Sequence, residues 1–324
     1  MGSFLLRRLF SLVPVLWVMA TVVWVVMFVL PGDPARMIAG RTADEPTLQE
    51  VRRQLGLDQP AWKQYGLYLT RLARGDLGRS YLQDRPVARI LGERAWPSIF
   101  LSLSAIGLAL AVGVIGGTAS AVRPGRSLDR GVFLASLAGI AIPVFWLGIM
   151  LRLIFSSWLH LLPVRGYTRG DAAAARLFGL DLLPMPDPEH LILPCLTLAA
   201  FSAGYFIRVV RASLLEVQGE EFLRTARAKG LSRRTALIRH ALRHAMVPLA
   251  TVAGVQLAGL MGGAIATEMI FDWPGLGTAL LQGISMRDMP VVSGVVMLLT
   301  VLFVIVNLGV DVLYAWLDPR IRTS

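Results

Sequence analysis

Few residues in this chain of 324 stand at spacings that could do chemistry. His240 and His244 lie four apart, which is metal-ligand spacing on a helix. Yet HALRH lacks the glutamate of HExxH and has no nearby cysteine or carboxylate, so it reads as two solvated or headgroup-facing histidines and not as a metal site. His160 and His190 are isolated in sequence. The single cysteine, Cys195, lies in an apolar run, where it reads as a small buried hydrophobe. A phosphate-binding loop needs Gly-Lys followed by Ser or Thr, whereas Lys63 and Lys229, the two lysines, follow Trp62 and Ala228. Glu268 and Asp311 border apolar runs, and acids so placed raise the question of a proton-coupled carrier. They fall at opposite ends of their runs with no relay between them, which favours structural pairing. No segment pairs a nucleophile with a base, so the chain is not expected to be an enzyme.

The elements that would position any site are membrane helices. Apolar residues make up 55% of the chain and charged ones 16%, with a mean hydropathy of +0.61, outside the soluble globular range. Six runs contain no Asp, Glu, Lys, Arg or His: 9–30, 95–122, 131–151, 191–207, 245–267 and 289–310. A helix needs about 20 such residues to cross the hydrocarbon layer. An all-α membrane protein with six spanning helices follows. A disulfide-stapled secreted domain, a soluble enzyme and an outer-membrane barrel are excluded. The first run is longer than a signal-peptide core and leads into PGDPARM without a small-residue cleavage site, so it is expected to stay attached.

Charge orients the bundle. Six spans put both termini on one side, and the segments on that side hold 16 basic against 6 acidic residues; those on the other side hold 16 against 15. The basic side is expected to be cytoplasmic. The first outer loop, 31–94, carries 11 Lys and Arg, but its 64 residues exceed the length of about 60 beyond which loops cross regardless of charge. The net charge of +11 therefore reads as inner-leaflet anchoring in the lipid bilayer, with no nucleic acid partner.

Two parts are expected: 1–94, a first helix with an extracytoplasmic helical loop, and 95–324, a five-helix core. In the outer loop Thr47–Leu55 and Ala61–Arg74 have helical spacing, separated by Gly56 and Pro60, and Asp76–Tyr81 reads as a turn. These form a small helical cap. Gly113, Gly116 and Gly117 allow the second helix to approach a neighbour closely. Pro143, after AGIA, should kink or break the third helix. A helix broken at membrane depth either lines a path or is a passive kink; on the first reading Pro143, Phe145 and Trp146 are pathway candidates. Arg152, near the outer end of that helix, is expected to snorkel.

The inner segment 208–244 is too charged to span and too well patterned to be disordered. Ala212–Lys229 reads as helical, with a possible bend at Gly219. Gly230 can close it with a left-handed cap, and Ser232 can cap a second helix. ARAKGLSRRTAL within it is reminiscent of a DNA-reading helix-turn-helix, but the flanking spans deny it access to a groove.

EFLRTARAKGLSRRTALIRHALRHAMVP resembles the cytoplasmic loop of ABC-importer permeases of the dipeptide, oligopeptide and nickel family. RRLFSLVPVLWV, LPGDPA, LGLDQP, RGDLGRSY and FDWPGLG extend that resemblance, in order, over almost the whole chain. The general loop pattern is Glu-Ala-Ala, three residues, then Gly. Here Ala226 and Gly230 keep two of its positions, while Arg224 and Thr225 replace the first two residues.

The resemblance implies a coupling helix between the fourth and fifth spans that sits in a groove of an ATPase. Glu221, Phe222, Arg224, Thr225, Ala226, Arg227, Ala228, Lys229, Gly230 and Leu231 would form it. Ala226, Ala228 and Gly230 are small enough for close approach, Phe222 and Leu231 are apolar anchors, and Arg224, Arg227 and Lys229 supply steering charge. It also implies a second, similar permease subunit, two cytoplasmic ABC ATPases that hold the ATP and Mg, and an extracytoplasmic solute-binding protein. Docking candidates for that protein are Arg74, Gly75, Asp76, Leu77, Gly78 and Tyr81, with Trp273, Pro274 and Gly275. The location would be a bacterial or archaeal inner membrane, and the solute a dipeptide, oligopeptide, nickel chelate or glutathione-like molecule. An ion-gradient-driven carrier and a non-transporting receptor are the rival readings.

Overall fold

The computed structural model describes residues 2–29, 34–39, 43–167, 175–177, 180–182 and 185–317. In chain order the helices are α1 Gly2–Val29, α2 Pro34–Ala39, α3 Glu45–Leu55, α4 Ala61–Ala73, α5 Val87–Val122, α6 Ser127–Ala141, α7 Val144–Arg152, α8 Pro188–Glu216, α9 Glu221–Ala228, α10 Arg233–Ala236, α11 Leu242–Gly263, α12 Ile265–Phe271, α13 Leu276–Met286 and α14 Met289–Leu317. One antiparallel pair interrupts them, β1 Ala175–Leu177 with β2 Leu180–Leu182, in the register Ala175 to Leu182.

Two compact units result. The first comprises Met1–Trp96, Ala173–Leu183 and Thr278–Val301, and the second Pro97–Ala172, Pro184–Gly277 and Leu302–Ser324. Segments 173–183 and 278–301 group with the N-terminal part.

In the first unit, α3 and α4 start and stop within two residues of the expected helices. Pro46 sits in the first turn of α3, where a missing N–H costs nothing. Gly56, at φ 69°, ends the helix, its N–H bonding Arg53 O (3.0 Å) while that of Leu57 bonds Arg52 O (2.9 Å). Helix α4 lies against α1 and α14: the Tyr65 hydroxyl meets that of Thr21 in α1 at 2.7 Å, its ring packs 5.2 Å from Trp24, and the Tyr68 hydroxyl is 3.2 Å from Ser293 of α14.

In the second unit α8 is the hub, with buried residues from Leu193 to Leu214 and α6, α7 and α11 packed on it. The small residues expected to permit close approach do so against α8. A Cβ on Gly117 would lie 2.7 Å from the Val210 Cβ and 2.8 Å from the Ile207 carbonyl oxygen, so only hydrogen fits.

Helix α6 ends at Ile142, in extended conformation, and Pro143 opens α7 with the axis turned through 103°. Proline lacks the ladder N–H and drives the residue before it out of the helical region, so the break follows from the sequence. A second bend, of 58°, separates α11 from α12. Among the described residues three helices are long and apolar enough to cross a membrane, within 87–122, 188–219 and 289–310, or five if each bent pair counts as one span.

Candidate functional site

Between α8 and α11 the chain builds a corner from local signals. The helix expected over Ala212–Lys229 is interrupted: α8 stops at Glu216, a 3-10 turn spans Val217–Gly219, and extended Glu220 opens α9. Gly219 gives the helix no side chain to pack and a high entropy cost, so the strand of ladder bonds breaks there. Glu221 in the first turn and Arg227 in the last suit the helix dipole. Gly230, at φ 89°, closes α9: its N–H bonds Arg227 O at 2.9 Å, and that of Leu231 bonds Ala226 O at 3.3 Å. The Ser232 hydroxyl accepts the Thr235 N–H at 3.2 Å and caps α10, as its position anticipates.

Helix α9 is two-faced. Leu223 and Ala226, three apart, are buried; Glu221, Phe222, Arg224, Thr225, Arg227, Ala228, Lys229 and Gly230 are exposed; Leu231 is half-buried. Ala226 is therefore turned toward its own chain and does not offer close approach to a partner. Ala228 and Gly230 keep that property. Phe222, 38% exposed, stacks on the His244 ring at 5.0 Å, which gives His244 a packing contact.

Behind this corner lies a polar cluster that sequence reading misses. Asp129, at the start of α6, is 4% exposed and takes four donors on its carboxylate. Arg211 Nε and Nη2 reach Oδ1 and Oδ2 at 2.7 and 3.0 Å, the Ser120 hydroxyl bonds Oδ1, and the Gly125 N–H reaches Oδ2 at 2.7 Å. Gln218 Nε2 donates to Ala121 O at 2.9 Å, beside the same turn. Three helices, α5, α6 and α8, and the 3-10 turn are thereby tied together. Arg211 and Asp129 are 82 residues apart, and no local pattern links them.

The outer candidates divide between the units. In the first, Arg74 caps α4, Gly75 (φ 75°) and Gly78 (φ 79°) turn the chain, and Asp76 Oδ1 accepts the Gly78 N–H at 2.9 Å. Leu77 is half-buried. Buried Asp288 holds this turn, accepting the Ser80 hydroxyl and, at 3.1 Å, the Tyr81 N–H. Burial first, then the Asp288 carboxylate, raises the Tyr81 phenol above its ordinary value.

In the second unit Trp273 is fully buried, so its assignment to a docking surface is corrected. Its indole N–H donates to Pro97 O at 3.0 Å, and its ring meets Tyr167 edge-on at 4.8 Å. Burial also pushes the Tyr167 phenol up to about 12. Gly275 is buried too, its missing Cβ leaving room for the Glu268 carboxyl and the Ser98 hydroxyl, while Pro274 is half-buried. Glu268 itself is 1% exposed and accepts the Ser98 hydroxyl at 2.5 Å, so it has a structural partner.

At the α6–α7 break Phe145 is 54% and Trp146 47% exposed, following exposed Pro143. Arg152 Nη1 donates to Ile270 O at 2.7 Å near the end of α12, satisfying a terminal carbonyl. Cys195 is buried, and among the described residues no group of three or more His, Cys, Asp or Glu could hold a metal. The Asp311 side chain lies outside the described part.

Comparison with known proteins adds the following. A family model described as binding-protein-dependent transport system inner membrane component matches residues 109–323, and a companion model for the N-terminal part of such components matches 1–99. The glutathione transport system permease protein GsiC of Escherichia coli O6:H1 is 39% identical over 322 residues, 99% of each chain. That of Salmonella choleraesuis is 40% identical over the same share. Solved chains of the MetNI methionine ABC transporter in inward-facing conformations align over 71% of this chain and 96% of theirs, with TM-scores of 0.54 and 0.55 at 17% and 18% identity.

Proposed function

We propose how the chain works from the premise that it belongs to the family of inner membrane components of binding-protein-dependent transport systems and is a permease subunit of an ABC importer. It is a multi-pass protein of the inner membrane, and the ion-gradient-driven alternative draws no support from its relatives.

On this proposal the chain crosses the membrane six times with both termini in the cytoplasm. Over the described residues each charge-free run falls within a helix or a bent pair: α1, α5, α6 with α7, α8, α11 with α12, and α14. A second permease subunit supplies the other half of the pathway. The exposed face of α9, from Glu221 to Gly230, docks on one of two cytoplasmic ATPases, which hold the ATP and Mg. A solute-binding protein docks outside, on the Arg74–Tyr81 turn and α4, and the break at Pro143 with Phe145 and Trp146 borders the path. The observation that carries this reading is α9 itself: a short helix fixed at both ends, anchored by Leu223 and Ala226, and presenting Arg224, Arg227 and Lys229 beside small Ala228 and Gly230. Swinging a gate from 1:99 to 99:1 takes about 5.5 kcal/mol of differential binding, which a flexible loop could not deliver.

The solute is a small peptide of the glutathione class, as in the permeases that match 99% of the chain. Purification of the complex in detergent, followed by reconstitution, tests both levels. The expected result is copurification of a second permease and two ATPases, with ATP-dependent uptake of glutathione once binding protein is added. Uptake of dipeptides or nickel chelates in its place would revise the solute. Uptake by this chain alone under an ion gradient would overturn the mechanism.

A further inference from the structure

We propose that the Asp129–Arg211 cluster is a strut that makes the corner carrying α9 move as one body with the inner ends of α5 and α6. The proposal rests on the reading of α9 as the ATPase-docking helix and says where a displacement of that helix goes next.

The geometry supports a positioning role over a stabilising one. Asp129 lies among groups from three directions: Ser120 near the end of α5, Gly125 in the turn before α6, and Arg211 on α8. Both carboxylate oxygens are filled, and the guanidinium binds in a two-pronged manner, which fixes orientation as well as distance. The Arg211 guanidinium carbon also lies 6.0 Å from the Phe133 ring centre, which adds a contact from α6. Burying the Asp129 carboxylate against an Arg211 side chain that is 27% exposed costs desolvation that an apolar residue of equal volume would not, so stability alone is a weak reason for the pair, whereas a defined geometry is a sufficient one.

Position points the same way. Arg211 precedes the 3-10 turn that leads into α9 by six residues, and Gln218 in that turn donates to Ala121 O in α5. Above the cluster α8 is interlocked with α5 at Gly117 and with α6 at Gly204, where a Cβ would lie 2.6 Å from the Ser136 carbonyl oxygen. Apolar interlock at membrane depth and a charged clamp at the inner ends thus hold the same three helices. Push applied at α9 reaches α5 and α6 through this clamp, while α11 meets α9 directly where Phe222 stacks on His244 and is joined to the corner by the π turn at Leu237–Ala241.

The test uses the assembled complex in nanodiscs, with spin labels at exposed Arg126 and Arg239, one at the turn before α6 and one beyond the corner. Distances are read without nucleotide and after trapping with ATP and vanadate. With Arg211 intact the distance is expected to be narrow and the same in both states. In Arg211→Gln it is expected to broaden and to shift on trapping while the ATPases remain bound. Arg211→Lys, which keeps charge and bulk but loses the two-pronged contact, is expected to give the same result and serves if the Gln variant does not assemble. A double variant with Asp129→Asn should be no worse than either single one, since one joint is being broken. A narrow, unshifted distance in the Lys and Gln variants would overturn the strut while leaving the docking reading intact. Failure of the unsubstituted chain to retain the ATPases would overturn the docking reading and the strut with it.

Discussion

Replacing Gly275 with alanine puts a methyl group into the Glu268 carboxyl and the Ser98 hydroxyl, all of them buried. Overpacking of this kind costs about 1–3 kcal/mol. Gly259→Ala in α11 meets nothing within 4 Å, and on helix propensity it should be neutral or stabilising by up to about 1 kcal/mol. Thermal unfolding of the two variants in detergent should therefore separate them, with Gly275→Ala well below the unsubstituted protein; equal midpoints would mean that the Trp273 turn is looser than its contacts indicate. The same turn shows what sequence reading reached at single residues. Gly230 and Ser232 were legible because a cap is made with neighbours a few positions away. Trp273 was not, because an aromatic beside Pro-Gly reads as an exposed turn, and its burial is decided by Pro97, 176 residues distant. Arg152 escaped for the same reason, its acceptor lying on Ile270.

At the scale of elements, the proposed function depends on the shape of α9. Gly230→Val meets no neighbour, so its effect is confined to backbone: a β-branched residue at φ 89° costs roughly 1–2 kcal/mol and is relieved by unwinding the cap. The complex should assemble with its basal ATP hydrolysis retained, while solute moved per ATP falls several-fold; an unchanged ratio in reconstituted vesicles would mean that the corner need not be rigid. Most elements could be read from the sequence because their signals are local: apolar runs of membrane length, Pro143 for the 103° break, Gly56 and Pro60 between α3 and α4. The split of the inner helix at Gly219 and Glu220 was foreseen only as a bend. Helix α4 was read as part of a cap, but its tyrosines reach Thr21 and Ser293, pairings that depend on tertiary placement.

For the whole molecule, the order of the motifs carried the family, since it is a property of the entire chain and survives errors at single positions, and the imbalance of basic residues supports the proposed orientation. What the sequence could not hold is the far side of any proposed interface, because partner surfaces are not encoded in one chain's periodicity. The claim at the centre is that α9 faces the cytoplasm and is covered by an ATPase. Cys195, the one native cysteine, is buried, so a cysteine placed at exposed Thr225 can be read alone. Labelling of Thr225→Cys with a membrane-impermeant thiol reagent should occur in inside-out vesicles and not in intact cells with the outer membrane permeabilised, and adding back the ATPase subunits to stripped vesicles should protect it. Labelling from the outer side, or equal labelling with and without the ATPases, would contradict the account.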